Sequence, residues 1–235
     1  MAILCLETSS LTGGAAIISR GRILGEVILS TKKTHSRRLI SNILWLLDEL
    51  DLTWETFDLV AIGQGPGSFT GLRIGIATAK GFAMARSLPV MGVPTLDVIA
   101  QNAFLEQSRL ICPVMDARRN QVYTSLYRPD PGLDRPKRIL DYIAIEPAKL
   151  SDLIPKDNHV LFIGDGINRY RELFETYFNK RAVFAPEYMW FPHPAIVGIL
   201  AEKMINEGQK TADPSILTPI YCRLSEAEEK KKQNG

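Results

Sequence analysis

Gly63-Gln64-Gly65-Pro66-Gly67-Ser68-Phe69-Thr70-Gly71-Leu72-Arg73-Ile74-Gly75 is the stretch whose geometry decides the fold. Immediately before it, residues 59–62 form a short apolar run of strand type; after it, small residues continue at helical spacing. Gly63, Gly65 and Gly67 permit a tight turn with positive φ, and Ser68 is placed to cap the helix that follows. A strand, a glycine turn and a capped helix aim backbone N–H groups at a space that suits an anion. Neither a Gly-Lys-Ser/Thr ending nor a G-x-G-x-x-G pattern is present, so the turn fits a nucleotide loop and a plain strand-to-helix junction alike.

Working toward the N-terminus, residues 3–7, 14–19 and 22–29 read as strands of an antiparallel meander, with a tight turn at Arg20-Gly21. Ser36 is placed to cap a helix over 37–50, apolar at positions 39, 40, 43, 44, 46, 47 and 50. Beyond the glycine turn come a helix to about residue 87, a short strand around Val90 and a helix capped by Thr95. The order β-β-β-α-β-α-β-α, closed by right-handed crossovers, is ribonuclease-H-like.

The second half repeats this order in shortened form. Residues 110–115 end in Asp116 as 3–6 end in Glu7; 121–127 and 138–145 complete a meander, and a short helix covers 147–153. Residues 160–163 lead into Gly164-Asp165-Gly166 and a helix through 177, followed by a strand at 183–185 and a helix over 194–207 ended by Gly208. The expected fold is α/β, an actin-like (ASKHA) duplication of two ribonuclease-H-like domains, the second one reduced. The expected domains are 1–107 and 108–223, with a flexible tail at 224–235.

With 235 residues and 46% hydrophobic content the chain can build a real core. Its apolar runs fall short of the roughly 20 residues of a membrane span, and no leader pattern opens it, which points to the cytoplasm. Cys5, Cys112 and Cys222 are far apart and odd in number, so neither a disulfide framework nor a Cys-x-x-Cys metal site is indicated; Cys5 and Cys112 read as buried, inert thiols. A net charge of +2 does not advertise nucleic-acid binding, although local clusters stand at Lys32-Lys33, Arg37-Arg38 and Arg118-Arg119.

On the helix after the glycine turn, Gly71, Gly75, Ala79 and Ala83 recur every four residues and form one stripe without bulk. Each interior Gly costs about 1 kcal/mol relative to Ala, so the stripe calls for close approach by another element, from this chain or from a partner. The 37–50 helix is apolar on more than one face. The expectation is a partner surface built from Leu39, Ile43 and Leu46 together with Gly71, Gly75, Ala79 and Ala83.

Enzymatic readings can be tested on the same residues. His35, His159 and His193 do not form H-E-x-x-H or any helical pair, so a metallopeptidase centre is not indicated and no metal site is expected. A small-molecule kinase or ATPase needs phosphate-contacting turns and a magnesium-organising carboxylate. Thr8, Ser9, Gly65, Gly67, Ser68, Gly164 and Gly166 can serve the first need and Asp116 the second, though each also reads as an ordinary turn or cap residue. No catalytic residue is assigned.

Leu6-Glu7-Thr8-Ser9-Ser10, His35-Ser36, Gly65 through Arg73, Asp116-Ala117-Arg118 with Val122-Tyr123, and Pro219-Ile220-Tyr221 together resemble the TsaB (YeaZ) family of threonylcarbamoyladenosine biosynthesis. The resemblance implies a non-catalytic subunit that binds and activates the transferase TsaD in a heterodimer through the two helices above. It also implies docking of the ATPase TsaE and tRNA contact through the complex; the chain alone is expected to form a homodimer through the same helix surface. No cofactor is required by the chain itself, with ATP or ADP entering at the level of the complex. Family members often carry Asp where this chain has Glu7.

Overall fold

The computed structural model describes residues 1–30, 35–130, 132 and 134–223. The tail at 224–235 and Lys32-Lys33 lie outside the described residues. Strands β1 (Ala2–Glu7), β2 (Thr12–Ser19), β3 (Arg22–Ser30), β4 (Leu59–Gly65) and β5 (Val90–Pro94) come first, then β6 (Leu110–Arg118), β7 (Gln121–Thr124), β8 (Tyr127–Arg128), β9 (Lys137–Arg138), β10 (Ile143–Ile145), β11 (Val160–Ile163) and β12 (Ala182–Phe184). The helices are α1 (His35–Glu49), α2 (Phe69–Arg86), α3 (Thr95–Gln101), α4 (Leu150–Leu153), α5 (Ile167–Phe178) and α6 (Pro194–Asn206). Because α1 starts at His35, Ser36 lies inside its first turn and does not precede the helix as a cap.

The chain divides into two units: Met1–Asn102 with Phe191–Pro219, and Ala103–Trp190 with the segment from Ile220. In the first, the sheet order is β3-β2-β1-β4-β5, with β1, β2 and β3 antiparallel and β4 and β5 parallel to β1. Strand alternation sends Leu4, Leu6, Ile17, Val60 and Ile62 to the face beneath α1 and α2. Ile3, Cys5, Ile18 and Ala61 point to the other face, which Ala195, Val197, Leu200 and Ala201 of α6 cover. A Cβ on Gly198 would collide with Cys5 Sγ, so α6 runs over β1 at a distance only glycine allows. The expected assignment of residues 194–207 to the second domain is therefore corrected, because both faces of the first sheet are apolar and this helix supplies the missing cover.

In the second unit the order β10-β7-β6-β11-β12 repeats the first, again a meander followed by parallel strands. The topology is the ribonuclease-H-like duplication of the actin-like class. The expected strands at 121–127 and 138–145 are each broken in two. Register explains the first break: Val114 pairs with Thr124 and Ile111 with Tyr127, which sets Pro113, lacking an N–H, opposite the interruption. Phe162 of β11 stacks on Phe174 of α5 at 4.4 Å and anchors that helix.

Candidate functional site

In the first unit the β1–β2 turn and the glycine turn are packed into each other. Glu7, Thr8 and Ser9 are buried. Ser68 N–H donates to the Ser9 carbonyl at 2.7 Å, and Thr8 Oγ1 donates to the Gly71 carbonyl at 2.8 Å. A Cβ on Gly67 would collide with Ser9 O, one on Gly71 with Thr8 O, and one on Gly75 with Thr8 Oγ1. Ala79 and Ala83, wholly buried, continue the same seam into the core beneath α1. The small-residue stripe of Gly71, Gly75, Ala79 and Ala83 is thus filled by the chain's own residues and offers no partner surface, which corrects that expectation.

The phosphate reading of this turn is corrected on the same grounds. The Gly71 N–H donates to Ser68 Oγ at 3.3 Å as a helix cap, and the Gly65 N–H donates to Thr95 Oγ1 at 3.1 Å. Thr95 is the first residue of α3, whose N-cap position is held by Pro94, so the expected cap falls one residue inside the helix. The donors at Gly65, Ser68 and Gly71, and the hydroxyl of Thr8, are engaged inside the chain, and the Ser9 carbonyl meets the Ser68 N–H where an anion was expected.

The Glu7 carboxyl is held beside Gly63, where any Cβ would collide with Oε2. Burial pushes its pKa up to about 7, opposed by hydrogen bonding from Ser9, whose N–H donates to Oε1 at 2.5 Å. Glu7 Oε2 and Ser9 Oγ are both buried without a hydrogen-bond partner.

In the second unit Asp116, Gly164 and Gly166 do come together. The Asp116 N–H donates to Asp165 Oδ1 at 3.1 Å, the Arg118 N–H donates to Asp116 Oδ1 at 2.8 Å, and Arg169 lies 3.7 Å from Asp116 Oδ2. Gly164, at φ +124, and Gly166 both press on the Val114 carbonyl, which accepts from the Gly166 N–H at 3.0 Å. Their glycine identity is accounted for by this packing alone. Burial, then the neighbouring Asp116, raises the Asp165 carboxyl above its ordinary range. Beside this cluster lies a groove of about 560 Å³ lined by residues 119–121 and 146–148 with Tyr170 and Leu173. Among the described residues no three His, Cys, Asp or Glu side chains converge as metal ligands.

The surplus apolar surface stands elsewhere in the first unit. Leu39, Ile43 and Leu46, expected at a partner interface, are 2%, 0% and 2% exposed and belong to the chain's own core, which corrects their assignment. Ile40, Leu44 and Trp45 of α1 are about half exposed, at 49%, 50% and 52%, and Met84 of the adjoining α2 is 64% exposed. Residues 39, 43, 46 and 50 follow the single stripe a helix needs to cover a sheet, so 40 and 44 form a second stripe beside it. That subtraction, and the large indole next to it, was the available signal for Trp45.

The sequence family described as "TsaD: tRNA N6-adenosine threonylcarbamoyltransferase" matches residues 22–231 of this chain. A Bacillus subtilis protein, tRNA threonylcarbamoyladenosine biosynthesis protein TsaB, is 31% identical over 98% of this chain and 97% of its own length. The Haemophilus influenzae protein of the same name is 28% identical over 95% of this chain and 94% of its own. Among solved structures, YeaZ from Pseudomonas aeruginosa superposes with a TM-score of 0.80 at 27% identity, covering 94% of this chain and 99% of that one.

Proposed function

This chain belongs to the TsaB (YeaZ) family of tRNA threonylcarbamoyladenosine biosynthesis proteins, and from that premise we propose that it is a non-catalytic subunit that docks on and activates the transferase TsaD. The observation that carries this reading is the exposed apolar face of Ile40, Leu44 and Trp45 on α1, with Met84 also exposed on the neighbouring α2. Aromatic and Met side chains of this size, exposed on helices already anchored to a sheet by their other face, match the composition of interface cores. Docking stabilises the competent state of the transferase to the extent that the patch contacts that state better than the inactive one.

Engagement of the Gly65, Ser68 and Gly71 N–H groups and the Thr8 hydroxyl within the chain supports a binding role over a phosphate-handling one. In this reading ATP enters through TsaE at the complex, tRNA is held mainly by the assembly in the cytoplasm, and the free chain covers the same patch by forming a homodimer.

The test is co-purification of TsaD with wild-type chain and with Trp45→Glu, alongside light scattering of each chain alone. The variant should stay folded, lose TsaD and become monomeric. Retention of TsaD by Trp45→Glu would overturn the proposal.

A further inference from the structure

The groove of the second unit has features that neither the fold nor partner docking requires. Its rim is the β6–β7 hairpin, in which Arg118, Arg119 and Asn120 stand consecutively in the left-handed region, at φ 60, 51 and 56. Arg118 pairs with Gln121, leaving Arg119-Asn120 as a two-residue loop. Such loops favour Asn-Gly, since a side chain with a Cβ is disfavoured at positive φ. The hairpin therefore sets two arginines where glycine or asparagine would be less strained, and strain of this kind collects at functional sites.

More cations converge on the same rim. Arg169 donates to Asn120 Oδ1 at 2.8 Å and lies 5.3 Å from the Tyr170 ring, and Arg223 donates to Gln121 Oε1 at 3.3 Å. Of the carboxylates nearby, Asp116 lies 3.7 Å from Arg169 and Glu146 3.4 Å from Lys149. Behind the rim Pro147, Ala148 and Leu173 supply apolar wall, and the buried Tyr170 hydroxyl has no hydrogen-bond partner. A buried hydroxyl left without a partner costs free energy, and a ligand in the groove can supply the missing bond.

We propose that this groove is an RNA contact, in which Arg119 on its rim, with Arg118 next to it in the hairpin, holds phosphodiesters of a looped strand and the Tyr170–Leu173 wall receives a base. Guanidinium groups beside an aromatic and apolar wall are the chemistry that single-stranded RNA uses, through phosphate contact and stacking. The inference rests on the reading that the chain serves tRNA modification, and it adds a direct contact by this chain.

The experiment is fluorescence anisotropy with a labelled anticodon stem-loop RNA across a salt series, on the full chain alone and bound to TsaD. Arg118→Ala/Arg119→Ala should weaken binding about tenfold and flatten the salt slope by about 0.7 for each phosphate that is no longer neutralised. Arg119→Lys should keep the slope. Tyr170→Phe should weaken binding about threefold without lowering the melting temperature, as expected for loss of one hydrogen bond made only with ligand. TsaD retention, measured separately with Trp45→Glu, reads the docking surface, so failure of one reading leaves the other's result distinct. Unchanged affinity and slope in the double variant, absence of RNA binding by chain and complex alike, or loss of TsaD in place of RNA would each overturn the proposal.

Discussion

Thr8 Oγ1 occupies the place that a side chain at Gly75 would need, and the same hydroxyl donates to the Gly71 carbonyl one turn earlier on α2. The two glycines thus exist so that the first turn of the chain can lie flat on α2. Gly75→Leu should leave the protein insoluble or unfolded. Gly75→Ala should cost about 1–3 kcal/mol, because Ile62 Cδ1, 3.1 Å from the added Cβ, and the Thr8 hydroxyl must both give way. Thermal melts of the soluble alanine variant check this, and an unchanged melting temperature would contradict the packing described.

Glu7 gives stability a dependence on pH. Its pKa is about 7 in the folded chain against an ordinary 4.5, so the folded state holds a proton that the unfolded state has already released. The contribution is present in full below about pH 4.5 and is lost as pH rises through about 7, with a size on the order of 3 kcal/mol. Glu7→Gln keeps the neutral form and an acceptor for the Ser9 N–H. Relative to this variant, wild type should lose stability between pH 5 and 8, and parallel stability curves would refute the burial argument.

Asp116 tests the kinase alternative. Its carboxylate already accepts from the Arg118 N–H and faces Arg169. The chain alone should show no ATP turnover above background, and Asp116→Ala should leave that level unchanged. Turnover by wild type that disappears in Asp116→Ala would favour an enzyme.

Much of the fold was legible because periodicity and punctuation agree along the chain. The run at 160–163 becomes β11 with the bounds read from it, and Gly208 ends its helix at φ +89. What periodicity does not encode is which sheet a helix finds. Residues 194–206 carry an ordinary apolar pattern, and only the uncovered face of β1 and the close approach of Gly198 to Cys5 place them on the first unit. The candidate site was legible in composition and not in direction. The stripe at 71, 75, 79 and 83 did signal close approach, but its occupant was Thr8 from the same chain, a contact between residues far apart in sequence. Strand-end residues Asp116, Gly164 and Gly166 were brought together as their parallel strands required. Arg118 and Arg119 stood out in sequence as a basic pair, but their strain had no signal, since positive φ at a non-glycine residue leaves no mark in sequence.

The most direct measurement is threonylcarbamoylation of tRNA by TsaD, with TsaE and ATP present, as wild-type chain or Trp45→Glu is titrated in. Wild type should restore activity at near-stoichiometric amounts. Trp45→Glu should need at least about 30-fold more, the loss expected when a central aromatic anchor carries more than about 2 kcal/mol of an interface. Equal titration curves for a folded Trp45→Glu would contradict the claim that the Ile40–Trp45 face is how this chain acts.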